Sequence, residues 1–355
     1  MTQDSAKLMQ LAQQRVGSTL RNKWRLDCVI DVGGMAAVYL ASHRNGHRAA
    51  IKILHPAYNK DEQARTRFLR EGYAANAVGH RGAVAVLDDD VTDYGEVYIV
   101  MELLDGESLE GRLAREKVIS PLQTLLITDQ VLEVLSHAHP KGIIHRDIKP
   151  ANILITREQI VKLLDFGLAR VTEMSQEKLL DSGHIVFGTV SYIGPEQARA
   201  QNDRIDARSD LWSVAATMFR MLGGDVVHGM GGTVVERLLR AGRNQARSIA
   251  TLRPDLDPAL VQLIDRGLAY RQEDRWPSAS VMRAVLQDVI EMYDPDYLAR
   301  EIEPPPRSLY DSLDEEPPAT YEERRTVSGS SPPPGSESRP PAQSPIHHRP
   351  QHNPL

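Results

Sequence analysis

Apolar residues recur at every second position in several short runs within the first third of the chain. Leu26, Cys28 and Ile30 form one such run, and similar runs follow up to about residue 104. A period of two is typical of half-buried β-strands, whereas the segment from Pro56 to about Val78 has the spacing of a helix. Residues 25–104 are therefore predicted to form a small antiparallel sheet with one helix against it.

The spacing becomes helical from about residue 120. One buried helix is indicated by Leu122, Leu125, Leu126, Val131, Leu132 and Leu135. Further helices are predicted at about 207–222, 232–241, 258–268 and 277–292. The expected fold class is α+β, with a small strand-rich lobe at 25–104, a larger helical lobe at 105–296 and an N-terminal extension at 1–24.

Composition changes sharply near residue 300. Thirteen of the 22 prolines lie after that point, in a segment with few aromatic or aliphatic residues. Such a segment cannot bury enough apolar surface to offset the entropy of ordering it, so residues 297–355 are predicted to be a disordered, Pro-rich tail. We expect the tail to be dispensable for catalysis, and a segment of this kind can bind a partner protein.

Charge and cysteine content exclude several classes of protein. The formal net charge of the 355 residues is −6, and residues 301–355 alone carry nine acidic and five basic side chains. The remainder is close to neutral, which disfavours binding to nucleic acid. Cys28 is the single cysteine, so no intrachain disulfide can form, and no apolar run approaches the roughly 18 residues of a membrane span. A cytoplasmic protein without a membrane span is expected.

Two motifs carry the strongest chemical signal. The segment HRDIKPAN occupies residues 145–152, and DFG follows at residues 165–167. In this order and at this spacing the motifs resemble those of the eukaryotic-type protein kinases, and most closely the bacterial Ser/Thr protein kinases. The resemblance covers roughly residues 25–295 and implies the two-lobed protein-kinase fold.

The resemblance implies a chemical role for each polar residue of these motifs. Asp147 would accept or orient the proton of the acceptor hydroxyl, and Lys149 would contact the transferred phosphate. Asn152 and Asp165 would bind Mg²⁺ through oxygen atoms, the ligands that this hard cation prefers. ATP and Mg²⁺ are therefore the expected cofactors.

The same resemblance implies phosphate binding by the small lobe. Lys52 matches the lysine that contacts the α- and β-phosphates, and it would pair with Glu71 on the helix. Gly33 matches the central glycine of the glycine-rich loop, where the backbone must lie close to the phosphates. Asp31 and Ala36 stand where the family usually has the first and third glycines.

An adenine pocket is implied as well. Its expected members are apolar side chains above, below and behind the base, together with two backbone groups at its edge. They are Val38, Ala50, Leu154, Met101, Glu102 and Leu104.

The resemblance also implies the class of substrate. Lys149 and Thr189 match positions at which Ser/Thr kinases differ from tyrosine kinases, so protein substrates with Ser or Thr acceptors are expected. Kinases with an arginine at the position of Arg146 commonly use it to hold a phosphate in the activation segment. Phosphorylation is predicted within residues 172–191, with Ser182 as the leading site.

Three residues are expected to support the site from the large lobe. Glu196 would form a buried ion pair with Arg275, and Asp210 would anchor the catalytic loop from a central helix.

His137 and His139 have no accompanying Cys/His cluster, so we interpret them as surface or helix-capping residues.

Two alternatives to an active Ser/Thr kinase remain open from the sequence. Asp31 and Ala36 favour a pseudokinase that binds partners without efficient catalysis, although Lys52, Glu71 and Asp147 argue against it. A small-molecule phosphotransferase with the same fold is the third hypothesis, and the residues of the activation segment favour protein substrates over it.

Overall fold

The computed structural model describes residues 3–166, 189–296 and residue 302 of the chain. The small lobe contains a six-stranded antiparallel sheet with the strand order β1-β2-β3-β4-β6-β5. Its strands are β1 (Thr19–Leu20), β2 (Trp24–Val32), β3 (Ala36–His43), β4 (Arg48–Leu54), β5 (Val86–Val91) and β6 (Val97–Met101). Two helices accompany it, α1 (Gln3–Gln13) and α2 (Glu62–Val78). The predicted sheet with one helix is therefore confirmed, with α1 and β1 added from the segment predicted as an extension.

The two faces of this sheet bury different residues because side chains alternate along each strand. Tyr39, Ile51 and Tyr98 lie on one face and share a core with Ala12 of α1. Leu54 and other residues of the opposite face pack around Phe68 of α2. Helix α1 is thus built into the small lobe rather than appended to it.

Helix α2 starts and ends at well-defined caps. The side chain of Asp61 accepts hydrogen bonds from the backbone N–H groups of Gln63 and Ala64, so the helix begins after Asp61 and not near Pro56 as predicted. At the other end Gly79 adopts a left-handed conformation with φ of 63°. Lys141 of the large lobe also donates to the last carbonyl groups of this helix, which fixes its C-terminal end.

The large lobe is helical. Its helices are α3 (Leu109–Glu116), α4 (Pro121–Ala138), α5 (Pro195–Ala198), α6 (Ala207–Gly223), α7 (Val234–Arg243), α8 (Pro258–Gly267) and α9 (Ala279–Tyr293). A second sheet has the order β7-β8-β9 and contains β7 (Gly106–Ser108), β8 (Ile153–Thr156) and β9 (Val161–Leu163). The predicted helices are confirmed to within about three residues at each end.

Helix α6 is the centre of the large lobe. Thirteen of its 17 residues are buried, among them Leu211, Trp212 and Phe219. A helix that is buried on all sides can hold a charged residue only where specific partners receive it. The buried charged residue in its first turn, Asp210, therefore marks the point where the fold supports the site.

The packed part of the chain extends into the segment predicted as a tail. Ile302 is only 2% exposed and belongs to the hydrophobic core of the large lobe. The prediction that residues 297–355 form a disordered tail is wrong at this residue, because its apolar side chain packs in the core. Residues 303–355 lie outside the described residues. Among those that are described, we find no helix with the length and hydrophobicity needed to span a lipid bilayer.

Candidate active site

Asp147, Lys149 and Asn152 come together in the loop before β8. The Lys149 ammonium donates to both carboxylate oxygens of Asp147, at 3.1 and 2.9 Å. The amide nitrogen of Asn152 donates to the backbone carbonyl of Asp147 at 2.8 Å and to its carboxylate at 3.0 Å. Each residue is about 8% exposed. The carboxylate is therefore oriented by fixed donors, as a proton-accepting group requires.

The loop itself is held by Asp210 of α6. This buried carboxylate accepts hydrogen bonds from the backbone N–H groups of His145 and Arg146, both at 2.8 Å, and from Nε2 of His139 at 2.9 Å. Burial alone would raise the pKa of Asp210, but the His139 hydrogen bond and its charge outweigh burial and lower the pKa. His139 is the C-cap residue of α4, which agrees with the interpretation of it as a capping residue, but its side chain is only 9% exposed and is a partner of Asp210 that the sequence did not predict.

Arg146 has a φ of 66°, a conformation that non-glycine residues rarely adopt. Its N–H donates to Asp210, and its carbonyl accepts a hydrogen bond from the Gln197 side chain at 2.9 Å. The surrounding contacts therefore determine this strained backbone from both sides, as is common at functional sites. Gln197 has no counterpart among the residues predicted from sequence.

His145 joins the catalytic loop to the segment before Asp165. Its Nε2 donates to the carbonyl of Leu164 at 3.0 Å, and its ring lies 4.7 Å from the ring of Phe166. Its Nδ1 accepts from the N–H of Asp147, which fixes the neutral tautomer. Complete burial lowers the pKa of His145, and this favours the same neutral form.

Lys52 lies between two carboxylates. Its Nζ is 2.6 Å from Oδ1 of Asp165 and 3.4 Å from Oε1 of Glu71. Burial would lower the pKa of Lys52, but the charges of Asp165 and Glu71 outweigh it and raise the pKa. The ammonium is therefore charged. Helix α2 lies where its Glu71 can pair with Lys52 of β4.

The glycine-rich loop is a tight connection between β2 and β3. Gly33 N–H donates to the carbonyl of Ala36 at 2.9 Å. Asp31 is exposed, and its carboxylate accepts a hydrogen bond from the N–H of Val32 at 2.8 Å. The Asp31 side chain is thus in contact with water.

The predicted adenine-pocket residues lie on neighbouring strands of the two sheets. Ala50 of β4 and Met101 of β6 are directly opposite each other, and Val38 of β3 is opposite Lys52. Leu154 lies on β8 opposite Lys162, in the other sheet. These strands join at the segment after Met101, which contains the remaining two members, Glu102 and Leu104.

Glu102 has contacts that the sequence did not predict. Its N–H donates to the carbonyl of Ala85 at 2.9 Å, so its carbonyl is the backbone group left for an adenine edge. Its carboxylate accepts from the Lys162 ammonium at 2.6 Å and from the N–H of Ala85 at 2.7 Å. A lysine within the otherwise apolar strand β9 was the signal that could have suggested this pair.

The predicted ion pair between Glu196 and Arg275 is present. Two parallel hydrogen bonds of 3.0 and 2.9 Å join the groups, and both side chains are almost fully buried. Burial would raise the pKa of Glu196, but the hydrogen bonds and charge of Arg275 lower it. The pair is structural, because it joins α5 to the segment before α9 away from Asp147.

Several predicted residues cannot be placed. Gly167 and Ser182 lie outside the described residues, and so does the side chain of Thr189.

The residues present fit a divalent cation that takes most of its ligands from elsewhere. The amide nitrogen of Asn152 faces Asp147, which leaves its oxygen for a cation, and the Asp165 side chain is 47% exposed. In the part of the chain that the structure describes, no group of three or more His, Cys, Asp or Glu residues could hold a metal ion. Two oxygen ligands completed by phosphate and water are typical of Mg²⁺ sites.

Comparison with known proteins gives one consistent result. The family model described as protein kinase domain matches residues 25–287. Serine/threonine-protein kinase pkn3 of Myxococcus xanthus is 33% identical over 282 residues, which cover 77% of this chain and 51% of that protein. Serine/threonine-protein kinase PknB of Mycolicibacterium smegmatis is 33% identical over 281 residues, with coverages of 78% and 44%. The chain thus spans about half the length of these curated relatives.

The solved structures agree with the sequence relatives. The crystal structure of the Mycobacterium tuberculosis PknI kinase domain superposes with a TM-score of 0.59 at 27% identity. The match covers 78% of this chain and 97% of that domain. The expected two-lobed fold is therefore confirmed.

Proposed function

This chain belongs to the protein kinase family, and we propose that it is a Ser/Thr protein kinase that transfers the γ-phosphate of ATP to hydroxyl groups of proteins. The observation that carries the proposal is the geometry of Asp147, whose carboxylate is held by Lys149 and Asn152. Phosphoryl transfer requires an oriented acceptor hydroxyl and compensation of negative charge, and this cluster supplies both.

The acceptor hydroxyl would approach the Asp147 carboxylate. That group accepts or orients the hydroxyl proton, while Lys149 adds a positive charge at the place where the phosphate is transferred. Because Asn152 and Lys149 already fix the carboxylate, little reorganisation is needed during the reaction. The names of the curated relatives support Ser and Thr as acceptors.

The nucleotide would lie between the two lobes. Lys52 would bind the α- and β-phosphates, and its pairing with Glu71 supports an arrangement that is ready to do so. The side chains of Val38, Ala50, Met101 and Leu154 would contact the adenine, and Gly33 would bring the loop backbone close to the phosphates. The Glu102 carbonyl and the Leu104 backbone would bind the edge of the base.

Protein kinases use ATP with a divalent cation, and Mg²⁺ is the cation that we propose for this chain. Asn152 and Asp165 would hold it, since both offer the oxygen atoms that Mg²⁺ prefers. When bound, the cation neutralises charge on the phosphates. Within the proposal, Ser182 is the phosphorylated residue, the location is cytoplasmic, and the Pro-rich tail is where a partner binds.

Nothing among the described residues favours a pseudokinase. The sequence features that suggested one were Asp31 and Ala36, and Asp31 faces solvent. The pairing of Lys52 with Glu71 and of Lys149 with Asp147 supports an active kinase instead.

The test is mass spectrometry of the full chain after incubation with Mg²⁺ and ATP, beside the Asp147→Asn variant. Phosphate on Ser or Thr residues in the wild-type protein alone would support the proposal. Equal amounts of phosphate on the wild-type protein and the variant would contradict it. The absence of phosphate from both proteins and from an added protein acceptor would contradict it as well.

A further inference from the structure

His55 is a buried histidine for which phosphoryl transfer itself has no use. It follows β4 directly, three positions after Lys52, and is only 7% exposed. A histidine buried to this degree needs partners for its ring nitrogens. The partner that the structure gives it is in the glycine-rich loop.

Two hydrogen bonds join His55 to that loop. Its Nε2 lies 2.9 Å from the carbonyl oxygen of Gly33, and its backbone N–H donates to the carbonyl of Met35 at 2.9 Å. With the bond from Gly33 N–H to Ala36, these contacts hold both ends of the loop tip. Gly33 and Gly34 are otherwise exposed, and a side chain on Gly34 would meet no atom within 4 Å.

The tautomer of His55 follows from its partner. A carbonyl oxygen only accepts, so Nε2 must carry the proton and donate it to Gly33. Burial lowers the pKa of His55, and the neighbouring Arg15 lowers it further, while the Gly33 hydrogen bond and Glu96 oppose them. The ring is therefore neutral near pH 7, with a single N–H that is directed at the loop.

We propose that His55 is a positioning residue that holds the glycine-rich loop over the phosphates of ATP. Strand β4 and the residue directly after it then supply both phosphate contacts of the small lobe: Lys52 directly, and the Gly33 backbone through His55. Lys52 and His55 are about 10 Å apart along the chain, since an extended chain rises by about 3.3 Å per residue. This inference rests on the proposed binding of ATP.

The proposal gives a physical reason why the loop can function without two of the usual glycines. A loop held before the nucleotide arrives loses less conformational freedom when it binds. Removing the Nε2 donor should therefore weaken ATP binding, while the Asp147 cluster in the other lobe is unchanged.

Three variants of the full chain separate the hydrogen bond from packing. His55→Gln can place an amide N–H near the position of Nε2, His55→Asn is one methylene too short, and His55→Met fills the space without a donor. The loss of one hydrogen bond predicts ATP binding about three- to tenfold weaker in the Asn and Met variants. The Gln variant should stay within about twofold of wild type by the same relation.

The measurements are titration calorimetry with Mg²⁺ and ATP, and amide hydrogen exchange of residues 33–36 in the free protein. Exchange should rise in the Asn and Met variants but not in the Gln variant. Equal ATP affinity and equal exchange in Gln and Asn would overturn the proposal, even if melting temperatures fall. Should the Met variant not fold, the Gln and Asn pair still decides.

Together with the mass spectrometry described above, these measurements separate this inference from the proposed function. Wild-type protein that binds ATP but transfers no phosphate would contradict the kinase assignment, while the comparison of loop exchange would still test His55. A Lys52→Met control should weaken ATP binding without altering exchange at residues 33–36. A matching rise in exchange in that control would contradict a specific role for His55.

Discussion

The catalytic loop of the large lobe and the glycine-rich loop of the small lobe are held in different ways. Asp147 is buried, and its neighbours are fixed by the carboxylate of Asp210, which receives three hydrogen bonds. Gly33 and Gly34 are exposed, and the contacts at their tip come mainly from His55. The loop that contains Asp147 is thus held by several buried hydrogen bonds. The glycine-rich loop, which in the proposed function admits and releases the nucleotide, is held by few.

This difference predicts where substitutions act. In the large lobe, the loss of one buried partner leaves other buried groups unsatisfied, which affects stability and activity together. In the small lobe, substitutions should change nucleotide binding or rate with little loss of stability.

The largest effect is expected at Asp147 itself. Asp147→Asn keeps the shape and removes the proton acceptor, so phosphoryl transfer should fall on the order of 10²-fold or more in a variant that still folds. Lys52→Met and Asp165→Ala should lower transfer to a similar extent. Initial rates with a protein acceptor, measured beside melting curves, test this. Near-normal rates in any of the three would remove that residue from its role.

The anchor of the catalytic loop comes next. Asp210→Ala leaves the N–H groups of His145 and Arg146 without their acceptor, so we expect the free energy of unfolding to fall by about 3–5 kcal/mol and activity at least tenfold. Asp206→Ala is the matched control, because it removes a half-exposed carboxylate that caps the same helix and should cost only about 1 kcal/mol. Urea unfolding of both variants decides, and equal losses would show that Asp210 has no special role.

The buried pair of Glu196 and Arg275 should make the stability of the large lobe depend on pH. Glu196→Gln leaves the Arg275 charge unpaired and should lower the free energy of unfolding by about 3–5 kcal/mol at pH 7. Arg275 lowers the pKa of Glu196 below its ordinary value of 4.5. The stabilisation by Glu196 is therefore complete above pH 4.5 and is lost as the pH falls further.

The difference in the free energy of unfolding between wild type and Glu196→Gln should accordingly become smaller below pH 4.5. Urea unfolding at a series of pH values measures this difference. Glu273→Gln is the control, because Glu273 pairs with Arg271 at the surface and its loss should be barely measurable. A difference that stays constant down to low pH would contradict the assignment.

Gly72 of α2 sharpens the comparison on the side of the small lobe. A Cβ atom at this position would lie 3.0 Å from Cδ1 of Ile99 and 3.4 Å from a methyl group of Val86. Gly72→Ala should push the helix and Glu71 away from Lys52, so we expect activity to fall about two- to fivefold. Stability should change by less than about 1 kcal/mol, because alanine also favours the helix.

The double variant Gly72→Ala with Ile99→Val removes the nearest methyl group and should restore part of the activity. Rates and melting curves of the single and double variants provide the measurement. Unchanged activity in Gly72→Ala would show that the helix has room to adjust.

The sequence predicted features that depend on short-range patterns. Helix α6 was predicted at about 207–222 and spans Ala207–Gly223, because apolar spacing reports a buried helix directly. The start of α2 was predicted too early, since its true signal is the capping side chain of Asp61. Asp147 and Lys52 were predicted as site residues through motifs that resemble those of protein kinases.

Contacts between distant residues that belong to no family motif could not be predicted in this way. His139 and Asp210 are 71 positions apart, and Glu102 and Lys162 are 60 apart. His139, Glu102 and Lys162 are ordinary surface residue types when taken alone, and only the packing of helices and strands brings each of them to its partner. Ile302 is buried for the same reason, although its neighbours in sequence predict extended chain.

The smallest effect is expected at Asp31, where the sequence alone suggests a larger one. A negative charge at the start of the glycine-rich loop would repel ATP phosphates if it faced the cleft. The carboxylate is exposed to water, which screens its charge, and it accepts a hydrogen bond from the N–H of Val32. In water, a charge at ~8 Å from a phosphate contributes only about 0.5 kcal/mol, and salt reduces this further. We therefore expect the KM for ATP to change by less than about twofold in Asp31→Asn and Asp31→Gly.

Steady-state kinetics at low and at physiological salt test this expectation for Asp31. A several-fold lower KM in both variants, larger at low salt, would show that the carboxylate reaches the cleft. An improvement confined to Asp31→Gly would instead assign the effect to the backbone, and so to the stiffness of the loop that His55 holds.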